Sequence, residues 1–170
     1  MKKIILALIT VFVFTSCQQQ KIAYMDNGKV INEYQGKIEV EEKFKALDDV
    51  FKRKTDSIAQ AFQLEAQAFQ LEAEKLSQTK AQEKYQALTQ KQQYLQQQTQ
   101  FEQQQMQQAF QVEIDSAIIK VKAFVKDYGK KNGYTYILGT SDAAASVLYG
   151  TEENDLTEII IEALNASYKK

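Results

Sequence analysis

Hydrophobic residues recur along most of this chain at the spacing of one helix face. Val40, Phe44, Leu47, Phe51, Ile58, Phe62, Phe69 and Leu76 follow at intervals of three, four or seven residues, with polar residues between them. That alternation is the mark of a coiled-coil seam. A literal repeat lies inside it: Ala61-Phe62-Gln63-Leu64-Glu65-Ala66 returns seven residues later as Ala68-Phe69-Gln70-Leu71-Glu72-Ala73. Seven residues make about two helical turns, so both copies present the same face. From about Lys80 to Tyr128 a second set continues with mostly helical spacing: Tyr85, Leu88, Leu95, Met106, Phe110, Ile114, Ile118, Val121, Val125 and Tyr128. No Gly occurs between Gly36 and Gly129, and the chain has no Pro, so no helix breaker interrupts this region. Ser77-Gln78-Thr79 holds the poorest helix formers near the midpoint. The pattern predicts an out-and-back helical hairpin over residues 37–128 with its turn near 77–79. Its first helix spans roughly 60 Å at about 1.5 Å per residue. One unbent helix of twice that length is the structural alternative.

The seam leaves apolar residues over. Leu64 and Leu71 stand two residues beyond Phe62 and Phe69, a rotation of about 200°. Tyr94 and Phe101 form a comparable seven-residue pair beside the seam residue Leu95. A two-helix hairpin buries one seam, so a second stripe must face a neighbouring chain or a ligand. Phe62, Leu64, Phe69, Leu71, Tyr94 and Phe101 are therefore candidate contacts for a non-polar partner, with Phe62 and Phe69 also fitting the seam. The surrounding surface is weakly charged: residues 60–111 carry 20 Gln but only four Lys and five Glu. Gln forms helix readily and asks for no ionic partner.

Residues 21–36 and 129–170 flank the hairpin. Lys21–Asp26 reads as a short strand ended by Asn27-Gly28, and Lys29–Tyr34 as a helical segment. Tyr134–Leu138, bounded by Gly133 and Gly139, reads as a stronger strand, and Ser146–Tyr149 as a third. Asp155-Leu156-Thr157-Glu158 caps a closing helix that carries Ile159, Ile160, Ile161 and Leu164. The result is a mainly α chain with a small β body. A body of 58 residues without a disulfide or metal supports only a thin core, so it should be stable by joining other copies. Ile22, Tyr24, Tyr134, Tyr136, Ile137, Leu138, Val147, Leu148 and Tyr149 are the residues expected to serve that oligomerisation.

The start of the chain changes where all this is placed. Lys2 and Lys3 precede the apolar run Ile4–Phe14, which is too short to span a membrane and ends at Phe14-Thr15-Ser16-Cys17. Residues 1–16 resemble a bacterial lipoprotein signal, with the single cysteine, Cys17, as the lipid-bearing first residue of the mature chain. An ordinary secretory signal with an incidental Cys is the alternative, and either exports the protein. Removing Lys2 and Lys3 leaves 19 basic against 22 acidic residues, a charge of −3. That balance excludes a dedicated nucleic-acid binder, which needs a basic face to displace counterions. With no His and one Cys, His-based triads, His metal sites, paired-Cys zinc sites and internal disulfides are excluded as well. Neighbouring carboxylates such as Asp48 with Asp49 stand in a solvated context, without the contrasting environments that an acid/base pair needs. No catalytic site, cofactor or metal is expected.

Taken together, Lys21–Asp26, Lys29–Gly36, Asn132–Leu138, Val147–Tyr149 and Asp155–Thr157 with the closing helix, around a long helical insertion, resemble the Skp/OmpH family of periplasmic chaperones. The resemblance spans residues 21–168. It implies a homotrimer whose small bodies associate and whose hairpin arms project around a cavity. It also implies ATP-independent holding of unfolded outer-membrane β-barrel proteins in the periplasm. This chain departs from the family in three places: Gln35 stands where Pro is common, the arms are nearly neutral where family arms are often basic, and Cys17 offers a membrane tether. The competing expectation is a structural coiled-coil envelope lipoprotein that binds no client.

Overall fold

The computed structural model describes residues 20–141 and 146–168. The elements run β1 (Ile22–Asp26), α1 (Asn27–Asn32), α2 (Gln35–Ala73), α3 (Gln78–Lys131), β2 (Tyr136–Thr140), a 3₁₀ turn (Glu152–Asn154) and α4 (Thr157–Tyr168). The described residues divide into two compact units, 35–118 and a body made of 20–34, 119–141 and 146–168. The expected leader and Cys17 lie outside the described residues. Among the described residues no helix is long and apolar enough to cross a membrane.

Residues 35–118 form the expected hairpin. Its helices pack through Phe44, which is buried, with the Phe110 ring edge-on at 5.3 Å. Nearer the tip, Ile58 and Phe62 share a groove with Leu95, and Phe69 shares one with Leu88. One edge of the seam carries four cross-helix ion pairs: Lys43–Glu113, Lys54–Glu102, Glu65–Lys91 and Glu72–Lys84. Steps of eleven, eleven and seven residues down α2 match the same steps back up α3, so a single antiparallel register holds throughout. Steps of eleven and seven each return a helix to nearly the same azimuth, which keeps all four pairs on one edge.

Two details of the hairpin differ from the sequence pattern. The turn occupies 74–77, and Ser77 starts α3: its carbonyl accepts from Ala81 N and its Oγ lies 3.5 Å from Lys80 N. Ser is a poor interior helix former because it competes for backbone groups, and that same property suits it to a helix start. Leu47 and Tyr85, read as seam residues, are 43 % and 64 % exposed. Leu47 stands about 60° around the helix from Phe44, beside the ion-pair edge.

In the body, β1 and β2 pair in parallel, from Ile22 opposite Tyr136 to Asp26 opposite Thr140. Parallel strands need a long crossover, and here the crossover contains the whole helical insertion. Asp26 caps α1 by accepting from Lys29 N at 2.9 Å. The core gathers Ala23, Met25, Val30, Val121, Leu156, Ile160, Ile161 and Leu164. The residues after Ile118 group with this body, earlier than the 128–129 boundary expected from glycine placement, because Val121 is part of its core. α4 packs on α1 and β1, with Tyr34 meeting Tyr168 edge-on at 5.5 Å and Asn165 donating to the Glu33 carbonyl.

α3 ends in a Schellman motif: Tyr134 N donates to Gly129 O and Gly133 N to Lys130 O, with Gly133 at φ 71°. Only glycine adopts that left-handed conformation without a Cβ penalty. The third expected strand, Ser146–Tyr149, does not form, and among the described residues the sheet has two strands. The free edge of β1 is taken instead by the segment before α4. Leu156 N donates to Tyr24 O, Tyr24 bridges Asp155, and Asp26 N donates to Thr157 Oγ1 at 2.9 Å. Asp155 Oδ1 accepts from Thr157 N at 2.9 Å, which starts α4.

Candidate functional site

Helix geometry sorts the six hairpin candidates into three places. Phe62 and Phe69 are half-buried and face the partner helix. Leu64 and Leu71 are 67 % and 79 % exposed on the back of α2, away from α3. Tyr94 and Phe101, also mostly exposed, stand about 100° and 120° around α3 from the seam residue Leu95, on the flank beyond Lys91. The two pairs therefore sit at different angles to their seams, Leu64 and Leu71 opposite it and Tyr94 and Phe101 to one side.

Val112 extends this flank of α3. It lies eleven residues beyond Phe101 and is 67 % exposed, and the sequence reading missed it because a seven-residue search does not see an eleven-residue step. Along the seam, the grooves lined by Phe69 with Leu88 and by Phe62 with Leu95 are small, about 300 and 230 Å3. Glu65, Glu72, Lys84 and Lys91 rim the first, already engaged with one another, while Gln and Thr rim the second. Such surfaces offer apolar contact without fixed charge demands. Among the described residues no group of three or more Cys, Asp or Glu side chains gathers at metal-binding range.

The body candidates separate as cleanly. In the parallel register Ile22 faces Tyr136 and Tyr24 faces Leu138, so these four share the sheet face opposite Ala23 and Met25. Ile22, Tyr136 and Leu138 are exposed there, which makes an apolar sheet face open to solvent. Ile137 points the other way and meets α3 at Gly129, where an added Cβ would lie 3.2 Å from its Cδ1. Tyr134 stacks on Tyr128 under the Lys21 ammonium, 4.0 Å from the ring centre. Ile137 and Tyr134 thus serve the fold of the single chain. Val147 is half-buried, whereas Leu148 and Tyr149 are almost fully exposed.

Tyr24 anchors this region. Its hydroxyl donates toward the carbonyls of Gly150 and Thr151, 3.4 Å from each. Burial of the phenol first, then the nearby carboxylates of Asp155 and Glu152, push its pKa above the ordinary tyrosine value. Tyr24 is therefore a neutral donor at physiological pH, holding the chain in place rather than transferring protons.

No curated protein is similar in sequence to this chain. Among solved structures, a candidate OmpH-like outer membrane chaperone from Caulobacter crescentus has the same fold, with a TM-score of 0.77 at 14 % identity. The superposition covers 89 % of this chain and 88 % of that one. The family of OmpH-like outer membrane proteins matches residues 21–164, from β1 into α4. A parallel two-stranded body split by a long helical hairpin, with that match across nearly all of the described chain, places this protein in the OmpH-like outer membrane protein family.

Proposed function

We propose that this protein is an ATP-independent periplasmic chaperone that holds unfolded outer-membrane β-barrel proteins between the hairpin arms of a homotrimer. The observation that carries this reading is the exposed apolar side chains of a nearly neutral, Gln-rich hairpin: Leu64 and Leu71 on α2, Tyr94, Phe101 and Val112 on α3. Unfolded β-barrel segments present alternating apolar side chains in no fixed order. A soft wall of separated Leu and aromatic contacts suits them, because each contact is weak and enclosure multiplies them. Gln side chains between the contacts neither repel a client nor demand an ion pair from it. No bound nucleotide, metal or cofactor is required.

Self-association is supported by the solvent-facing sheet surface of Ile22, Tyr136 and Leu138 on a body too small to bury it alone. Lipidation at Cys17 then tethers the assembly to a membrane, holding clients beside the bilayer; acyl chains contribute about 0.8 kcal/mol per buried CH₂.

The test is aggregation suppression. Light scattering of a denatured outer-membrane protein diluted into buffer is followed with the purified protein and with its Leu64→Gln/Leu71→Gln variant. Full helicity with weakened suppression is expected. No suppression by the wild-type protein leaves a coiled-coil spacer in the envelope as the reading, and unchanged suppression by the variant removes Leu64 and Leu71 from the client surface.

A further inference from the structure

The body carries two features that its own chain leaves unmatched. One is a cleft of about 500 Å3 bounded by β1, α1, the last turns of α3 and β2. Its floor is apolar, built by Met25, Ile31, Val121, Val125 and Ile137. Its rim is basic. Lys122, Lys126 and Lys130 recur every four residues along α3, so they share one side of the helix. All three are exposed, and none forms an ion pair among the described residues.

The other feature is the tip at Leu148-Tyr149, whose side chains are 92 % and 85 % exposed. The base of the tip is fixed rather than loose. Tyr24 holds the carbonyls of Gly150 and Thr151, and its ring sits so close to Gly150 that an added Cβ would lie 2.3 Å away. The 3₁₀ turn follows at once, with Asn154 N bonded to Thr151 O and Asp155 N to Glu152 O, both at 3.0 Å. Glu152 and Glu153 project from this turn, exposed and without an ion pair among the described residues. In sequence order the tip offers two large apolar side chains, a two-residue spacer and two carboxylates. The cleft offers an apolar floor and three ammonium groups.

We propose that Leu148 and Tyr149 of one copy seat in the cleft of the next, with Glu152 and Glu153 facing its Lys122 and Lys126. The proposal rests on the self-association put forward above and adds a second contact to the sheet face of Ile22, Tyr136 and Leu138. Apolar side chains meet an apolar floor, the charges are opposite in sign, and every copy carries both halves. The tip is held outward by Tyr24, so it does not fill the cleft of its own chain. A tip-into-cleft contact is heterologous, and repeated around a closed rotation it yields a ring, which is the symmetry a trimer requires.

The experiment uses the full chain carrying the photocrosslinker substitution Leu148→p-benzoylphenylalanine, mixed as isotopically light and heavy copies, irradiated and mapped by mass spectrometry. The expected product joins position 148 of one copy to the 121–130 or 134–137 segment of another. An intact oligomer whose crosslinks fall elsewhere, within one chain, or on lipid or client overturns the proposal and leaves self-association standing. A monomer at every concentration overturns both. Charge reversal gives a second reading: Lys122→Glu with Lys126→Glu weakens association at least tenfold, and adding Glu152→Lys with Glu153→Lys restores it. Association indifferent to the first reversal, or unrestored by the second, also overturns the contact.

Discussion

Lys54 donates to both carboxylate oxygens of Glu102 across the hairpin, at 2.9 and 2.7 Å, while the next pair toward the tip reverses the signs, Glu65 accepting from Lys91. The reversal has a consequence for register. Sliding the helices by eleven residues one way sets Lys54 against Lys91, and the other way sets Glu65 against Glu102. Each slip also sets one opposite pair together, Lys43 with Glu102 or Lys54 with Glu113. The observed alignment is favoured because it matches all four pairs and sets no like charges opposite, where a Gln-rich seam alone specifies register weakly.

Reversing one partner should therefore cost more than removing it. Lys54→Glu or Glu102→Lys alone is expected to lower the thermal midpoint of helix loss by a few degrees, and the two together to recover most of that loss. Circular dichroism melts of the four proteins decide it. A combined variant no better than the sum of the singles shows that the two side chains do not act as a pair.

Acid should loosen the hairpin before base does. Glu72 is held below the ordinary value of 4.5 first by its hydrogen bond from Lys84, and Glu102 first by that from Lys54. A carboxylate whose folded pKa is depressed contributes its full stabilisation above the unfolded value and loses it as pH falls through the folded one. Lys29 runs the other way: its hydrogen bond to Glu158 raises its pKa, so its contribution is complete at neutral pH and fades only as the pH rises through that raised value. The thermal midpoint is expected to be level around neutrality and to decline below about pH 4.5. In a Glu72→Gln/Glu102→Gln variant the acid decline should be shallower; an identical decline assigns it to other carboxylates.

The body should be sensitive to small losses of volume. Ile160 is completely buried, between α4 and the residues of β1 and α1 that α4 covers. Ile160→Ala is expected to cost about 2–5 kcal/mol, read from denaturant unfolding at matched protein concentration. A loss under about 1 kcal/mol means that the site collapses onto the smaller side chain.

Leu64 and Leu71, opposite the α2 seam, and Tyr94 and Phe101, to one side of the α3 seam, should not count equally for clients. Leu64 and Leu71 are the pair proposed to face the space between arms. Tyr94→Gln/Phe101→Gln is then expected to retain most aggregation suppression under conditions where Leu64→Gln/Leu71→Gln loses it. The reverse outcome assigns the interior to α3, and equal losses mean that clients wrap both sides.

Much of this architecture was legible in the residue pattern because helix formation is local. A run without Gly or Pro, with apolar residues at coiled-coil spacing, reads as helix, and the poor helix formers near its middle mark where a fold-back fits, one unbent helix being the alternative that the pattern leaves open. The β1 strand and the closing helix behind Asp155 were readable because caps and short strands depend on a few adjacent residues, whereas Ser77, read as part of the turn, starts α3. Leu64, Leu71, Tyr94 and Phe101 were recognisable as exposed because a 200° or 100° offset from a seam follows from helix geometry alone.

Other features depended on contacts between distant residues. Ser146–Tyr149 has strand chemistry but pairs with neither strand of its own chain, and the Asp155–Thr157 segment further on takes the edge of β1. Whether Tyr134 and Ile137 face a neighbouring copy or their own chain turned on the Schellman turn that brings β2 back across Gly129. Sequence determines what a segment can form and which residues lie at which angle on it; only packing decides what those angles meet.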